Sequence, residues 1–301
     1  MTRRTFLAAG LAWAAGPTVA AAPDEPAPLR VVASFSILAD MVREVGGTAV
    51  DVYSLVPAGG DAHVFTPTPS DAQRVGRAEL LVVNGLRYEG WIERLVKSSG
   101  YRGPVVVATR GVRTRPTAGG ADPHAWQDLT QALVYVDNIR AALAVARPAQ
   151  AGAIDARAAA YAARLRALDQ DTRTRLASVA PDRRRVITDH DAFGYFADAY
   201  GVRFLSPRGW STDSEPSAET VARIVRQARE QQASALLVEQ LSDPRLVERI
   251  AREAGLKVGG RLYADALSAP GGEADTYLRL FSHNVSTLVR AMGGAAGATR
   301  P

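Results

Sequence analysis

Residues 29–56 read LRVVASFSILADMVREVGGTAVDVYSLV, and this stretch decides the fold class. Leu29–Ser34 is a short apolar run rich in β-branched residues, as a buried strand requires. Ile37, Leu38, Met41, Val42 and Val45 then recur at steps of three and four, the spacing of a helix with one apolar face. Gly46-Gly47 close that helix, and Val50–Val56 returns to strand composition. Strand, helix and strand in such short order predict a parallel pair with a crossover helix.

The alternation continues outward. A loop from Pro57 to Pro69 leads to a short helix capped at Ser70, then to the strand Leu80–Val83, a helix over Tyr88–Ser98 and the strand Val105–Ala108. Two helices follow without strands. Leu129, Leu133, Val136, Ile139 and Leu143 mark the first, which Pro148 stops; Tyr161, Leu165, Leu168, Thr172, Leu176 and Val179 mark the second, which ends before Pro181. From Ile154 to Ala180 the second would be about 40 Å long at 1.5 Å per residue, long enough to join two lobes as a spine. Its charged residues Arg157, Arg164, Asp171 and Arg175 are expected to be solvated. Alternation then resumes with a strand at Val186–Thr188, helices at Ala192–Tyr200 and Ala218–Gln232, a strand at Ala235–Val238, the helix Pro244–Ala254 capped by Asp243, a strand around Arg261–Tyr263 and a final helix Ala274–Met292. The expected fold class is α/β: two βα lobes with mostly parallel sheets, at 29–147 and 182–292, joined by the helix of 148–181. The loop Thr114–Ala121 and the Gly-rich tail 293–301 are expected to be mobile.

Composition narrows the function. The chain has 301 residues, 47% of them hydrophobic and 22% charged, enough apolar material for two cores and too little for a polytopic membrane protein. A net charge of +5, spread along the chain, does not point to nucleic acid. Cysteine is absent, which excludes disulfides, thiolate metal sites, a cysteine nucleophile and a lipid-modified cysteine. Arg3-Arg4-Thr5-Phe6-Leu7, an apolar run to Ala15 and the small residues Val19–Ala22 predict a signal peptide over 1–22, of twin-arginine type. The mature chain is expected in the periplasm.

Chemistry concentrates on the four histidines. His63 and His190 follow strands, one in each lobe, and Asp265 holds the matching position after the strand at Arg261–Tyr263. Ligands in open α/β sheets bind outside the carboxyl ends of the strands, and the loop carrying His124 can reach the same crevice. Imidazole nitrogens with a carboxylate oxygen suit Zn²⁺ or another first-row divalent ion. His283, inside the last helix, reads as a packing or solvent-facing residue. Nucleophile-elbow and Walker loops are missing, and Ser217 before Ala218 reads as a helix cap.

Gly60-Asp61-Ala62-His63-Val64-Phe65-Thr66-Pro67-Thr68-Pro69-Ser70-Asp71, Asn84-Gly85-Leu86 and Asp122-Pro123-His124-Ala125-Trp126 occur in that order. They are followed by His190-Asp191-Ala192-Phe193-Gly194-Tyr195-Phe196, Glu215-Pro216-Ser217-Ala218 and Tyr263-Ala264-Asp265-Ala266-Leu267-Ser268. With these blocks the chain resembles the zinc/manganese solute-binding proteins of ABC importers over essentially the whole mature chain. The resemblance implies two Rossmann-like lobes joined by a rigid helix, with metal in the interlobe cleft held by His63, His124, His190 and Asp265. It also implies a membrane permease as partner, a monomeric protein and no catalysis. Zinc is the expected cargo and manganese the alternative. Arg110–Ala121 lacks the histidine-rich loop of many zinc-specific members, and the missing cysteines set the chain apart from lipoprotein and disulfide-bearing members. From other classes, a secreted zinc metallohydrolase would use the same donors around a metal-bound water, with Asp61 or Asp191 as base, and an adhesin-like surface role is compatible with the fold.

Overall fold

The computed structural model describes residues 27–294, apart from 118, 214, 242 and 243. The expected signal peptide over 1–22, the tail beyond Gly294 and Asp243 as a cap lie outside the described residues. In the first lobe β1 (Leu29–Phe35), α1 (Ser36–Gly46), β2 (Val50–Val56), α2 (Pro69–Arg77), β3 (Leu80–Val83), α3 (Ile92–Ser99) and β4 (Val105–Val107) build a parallel sheet in the order β2-β1-β3-β4. A central strand of such a sheet is covered on both faces, which is why Val31, Val32, Ala33 and Phe35 are all buried.

Two boundaries differ from the sequence reading. Thr68, not Ser70, caps α2: its hydroxyl accepts the Asp71 N–H, the Asp71 carboxylate accepts the Thr68 N–H, and Pro69 starts the helix. The helix expected from Tyr88 starts only at Ile92. Gly85, Leu86 and Arg87 all have positive φ, and the Glu89 carboxylate accepts the N–H groups of Asn84 and Gly85, so Asn84–Trp91 is a tight turn.

The loop expected to be mobile before His124 contains a two-stranded antiparallel hairpin, β5 (Pro116–Thr117) and β6 (Gly120–Ala121). Next come α4 (Leu129–Ala146), capped by the Asp128 side chain, and α5 (Ala151–Ala177). The second lobe follows as β7 (Arg185–Ile187), α6 (Gly194–Tyr200), β8 (Arg203–Leu205), α7 (Ala218–Glu230), β9 (Ala235–Glu239), α8 (Pro244–Ala254), β10 (Val258–Leu262) and α9 (Tyr277–Ala291), with a parallel sheet ordered β10-β9-β7-β8. The edge strand β8 is absent from the sequence reading because three residues, one of them Arg203, carry no periodicity. Ser217 caps α7 as expected, accepting the Thr220 N–H. Among the described residues no helix is long and apolar enough to cross a membrane.

The long helix is not a bare strut. Arg157 donates to the carbonyls of Val45 and Gly46 at the end of α1, Arg164 pairs with Glu44, and Arg175 donates to Ser286 on α9. Three of the four charged residues expected to be solvated therefore tie α5 to its neighbours, and the α1 contact satisfies carbonyls that a helix end leaves open. One buried core runs from the first sheet through α4, α5 and α9 to Leu262 and Tyr263; a second, smaller one lies between β7, β9, α7 and α8.

Candidate metal centre

Each candidate side chain sits where a strand has just ended and is pinned by its own neighbours. In the loop after β2, the Asp61 carboxylate accepts the His63 N–H at 2.9 Å, and Trp91 Nε1 donates to the Ala62 carbonyl at 2.8 Å. His124 opens a short 3₁₀ turn; Asp122 accepts its N–H at 3.0 Å and lies 2.8 Å from its Nδ1. His190 follows β7, where Glu239 at the end of β9 accepts the N–H groups of Asp189 and His190 with one oxygen and stands 2.5 Å from His190 Nδ1 with the other. Asp265 follows β10, beside Ala264, whose carbonyl accepts Trp126 Nε1 at 2.9 Å and Gln127 Nε2 at 2.8 Å. These last two bonds join the His124 turn of one lobe to the Asp265 loop of the other.

The four side chains converge. Asp265 Oδ2 lies 3.1 Å from His190 Nε2 and 3.6 Å from His63 Nε2, Asp265 Oδ1 lies 3.5 Å from His124 Nε2, and the Nε2 atoms of His63 and His124 are 3.4 Å apart. One donor atom from each of the four falls within 4.8 Å of all the others. None of the four side chains is more than 2% exposed. With Nδ1 of His124 and of His190 facing a carboxylate, Nε2 of each points inward and is the atom through which the neutral ring can bind metal.

The cluster is electrostatically tense. Burial alone would lower the His190 pKa, but the negative charges of Glu239 and Asp265 outweigh it and hold that imidazole well above its ordinary range. Burial lowers the His63 pKa, opposed in part by Asp265. Burial would raise Asp265, yet His190 and His124 hold it well below the usual carboxylate range. A divalent cation held here would replace this strained sharing of protons with direct coordination.

His283 is not part of the cluster; its Nε2 lies 3.0 Å from the Arg261 carbonyl. Asp61 is engaged by the His63 N–H and, at 2.6 Å, by the Thr212 hydroxyl from the other lobe. The sequence reading missed the carboxylates behind the histidines. Asp122 was legible two residues before His124, and Glu239, like His190, ends a strand of the second sheet. Trp210, whose ring lies 5.8 Å from that of His63, carried no such signal.

Residues 31–291 match the family described as zinc-uptake complex component A, periplasmic (ZnuA). The chain is 31% identical over 269 residues to the iron-binding protein YfeA of Yersinia pestis, covering 88% of this chain and 86% of that protein. It is also 31% identical over 265 residues to the manganese-binding lipoprotein MntA of Halalkalibacterium halodurans, covering 88% of each. Among solved structures, the periplasmic zinc-binding protein TroA from Treponema pallidum superposes with a TM-score of 0.85 at 27% identity, covering 88% of this chain and 99% of that one. A manganese-bound periplasmic metal-binding protein from Candidatus Liberibacter asiaticus gives 0.80 at 28% identity, with the same coverage. The chain belongs to the ZnuA family, and is a non-catalytic, divalent transition-metal-binding periplasmic component of an ABC uptake system.

Proposed function

We propose that the protein captures zinc in the periplasm, with His63, His124, His190 and Asp265 as ligands, and passes it to the membrane permease of its importer. The observation that carries this reading is the donor set: three imidazole nitrogens and one carboxylate oxygen, drawn from both lobes and buried. Zinc accepts such a tetrahedral nitrogen-rich set, whereas manganese favours oxygen donors and higher coordination. Three neutral ligands and one carboxylate leave a charge of about +1 on a divalent ion, and zinc exceeds manganese in intrinsic affinity for such donors. Relatives bear the names of iron, manganese and zinc, so the choice rests on the donors and not on kinship. Manganese is the second reading, favoured by Asp265, whose two oxygens face different histidines and are disposed to bind as a pair.

Capture in this reading uses three properties of the chain. The carboxylates of Asp122 and Glu239 fix two of the imidazoles before the ion arrives, so little order is lost on binding. The ion displaces the proton held by His190. It also bridges loops that Trp126 and Gln127 already tie together. Competition titration of zinc against manganese at equal free metal tests the choice. Zinc preference is expected, narrowed or reversed in His190→Glu, and a wild-type preference for manganese would overturn it.

A further inference from the structure

The four converging side chains are closed off from solvent, so an ion reaches or leaves them only when something moves. Beside His190 and Asp265, walled by Thr212, Glu239 and Gln240, lies a space of about 10 Å³, room for a single water at most. A far larger cavity, of about 1180 Å³, has His63 in its lining as the only one of the four, and runs past the turn at Leu86-Arg87 to the exposed Val105. The rings of Tyr88 and Trp210 stand at the junction of His63 with that cavity, 4.7 and 5.8 Å from the imidazole. Tyr88 is buried and packed on Phe35 and Trp126 in the core, which fixes it. Trp210 is different. It is half-buried, between β8 and α7, and its indole N–H has no acceptor among the described contacts. The backbone on either side of it is anchored: the Gly209 carbonyl accepts the Asp191 N–H at 3.0 Å, and the Thr212 hydroxyl donates to Asp61 at 2.6 Å. A side chain held at its root and free of hydrogen bonds changes rotamer quickly.

We propose that Trp210 is the gate on the ion's route: its indole closes the inner end of the large cavity over His63 and swings aside to let the ion pass, with His63 the first ligand met. The inference rests on the reading of the four side chains as ligands, and it holds for zinc and manganese alike. A gate open for a small fraction of the time multiplies association and dissociation rates by that same fraction. It leaves Kd unchanged where the empty and loaded sites close equally, because a state with no differential affinity shifts no equilibrium. An open state populated at about 1–10% slows both rates about 10–100-fold. This separates Trp210 from Asp122 and Glu239, which hold imidazoles in place and so act on affinity.

The test compares wild type with Trp210→Ala, which removes the ring, and Trp210→Phe, which keeps a smaller one over His63. Stopped-flow mixing measures zinc association with chelator-stripped protein and zinc dissociation into excess chelator, and equilibrium competition gives Kd. Trp210→Ala is expected to speed both association and dissociation by about tenfold or more with Kd within about twofold of wild type, and Trp210→Phe to fall between the two. Unchanged rates in Trp210→Ala would overturn the proposal. So would faster dissociation alone with a matching loss of affinity, which would make Trp210 a support for His63 and not a gate. Wild-type protein that binds no zinc would overturn the zinc reading instead, and the same two rates measured with manganese then decide the role of Trp210.

Discussion

Replacing Glu239 by glutamine keeps the shape of the site and changes one charge. In the native protein one Glu239 oxygen accepts two backbone N–H groups and the other stands 2.5 Å from His190 Nδ1. That contact keeps the ring proton on Nδ1 and leaves Nε2 as the donor to metal. A glutamine can still accept the backbone groups with its carbonyl, but its NH₂ then faces Nδ1 and favours the tautomer protonated at Nε2, which cannot bind. Loss of such a supporting carboxylate typically costs about 10–100-fold in metal affinity, or roughly 1.4–2.7 kcal/mol. The variant also loses the charge that does most to hold the His190 pKa up. A group with a raised pKa keeps its proton above the ordinary imidazole value of about 6.5, so native binding still releases one proton per ion at about pH 7, and affinity keeps climbing with pH there. In Glu239→Gln that release should be smaller, with Asp265 alone left to hold the imidazole pKa up, so the deficit is smallest in acid and widens as pH rises. Calorimetric zinc titrations in buffers of different ionisation enthalpy count the protons directly. Unchanged proton release together with affinity within about twofold of wild type would refute the reasoning.

Three other outcomes follow from the same structure. Burial pushes the Asp40 pKa up to about 6, against the hydrogen bond from the Tyr277 N–H that lowers it. The folded state therefore binds this proton more tightly than the unfolded one, and the stability it contributes is full below the unfolded pKa and is lost as pH rises through about 6, costing roughly 3 kcal/mol above that. Asp40→Asn should stabilise the protein against urea at about pH 8 and not at about pH 4; an equal gain at both would rule this out. Zinc at a thousandfold excess over Kd should raise apparent stability by about 4 kcal/mol, seen as a higher Tm than in chelator, and identical melting curves would count against binding by the folded state. Breaking the Thr212–Asp61 hydrogen bond between the lobes with Thr212→Val should speed zinc release to a chelator severalfold at unchanged ligand identity; an unchanged release rate would show that this bond does not restrain the cleft.

The alternation of strands and helices was legible because each central strand is buried on both faces and each helix on one, which writes two distinct periods into the sequence. Short edge elements were not: β8 has three residues, and the hairpin before His124 has strands of two. The helix expected from Tyr88 begins only at Ile92 because the preceding turn, with Leu86 and Arg87 at positive φ and Glu89 accepting the Gly85 N–H, runs on past Tyr88, and ordinary helix formers at those positions do not announce it. The four converging residues could be found because three histidines of four fall on interlobe or strand-end loops. The carboxylates behind them could not be ranked from sequence, since the chain carries 31 acidic residues and only packing shows which two are buried against imidazoles. The arginines of α5 read as surface charge, and their work as carbonyl donors emerges only once α1 is placed beside them.

The account rests on one ion held jointly by both lobes. Titration of chelator-stripped protein with zinc, for wild type and for His63→Ala and Asp265→Ala, tests this most directly, since the two substitutions remove one donor from each lobe. The account predicts one ion per chain for wild type and a loss of at least about a hundredfold in affinity in each variant, as expected when a direct ligand is removed where even its supporting partner is worth ten to a hundredfold. Wild-type affinity retained in either variant, or no stoichiometric binding at all, would contradict it.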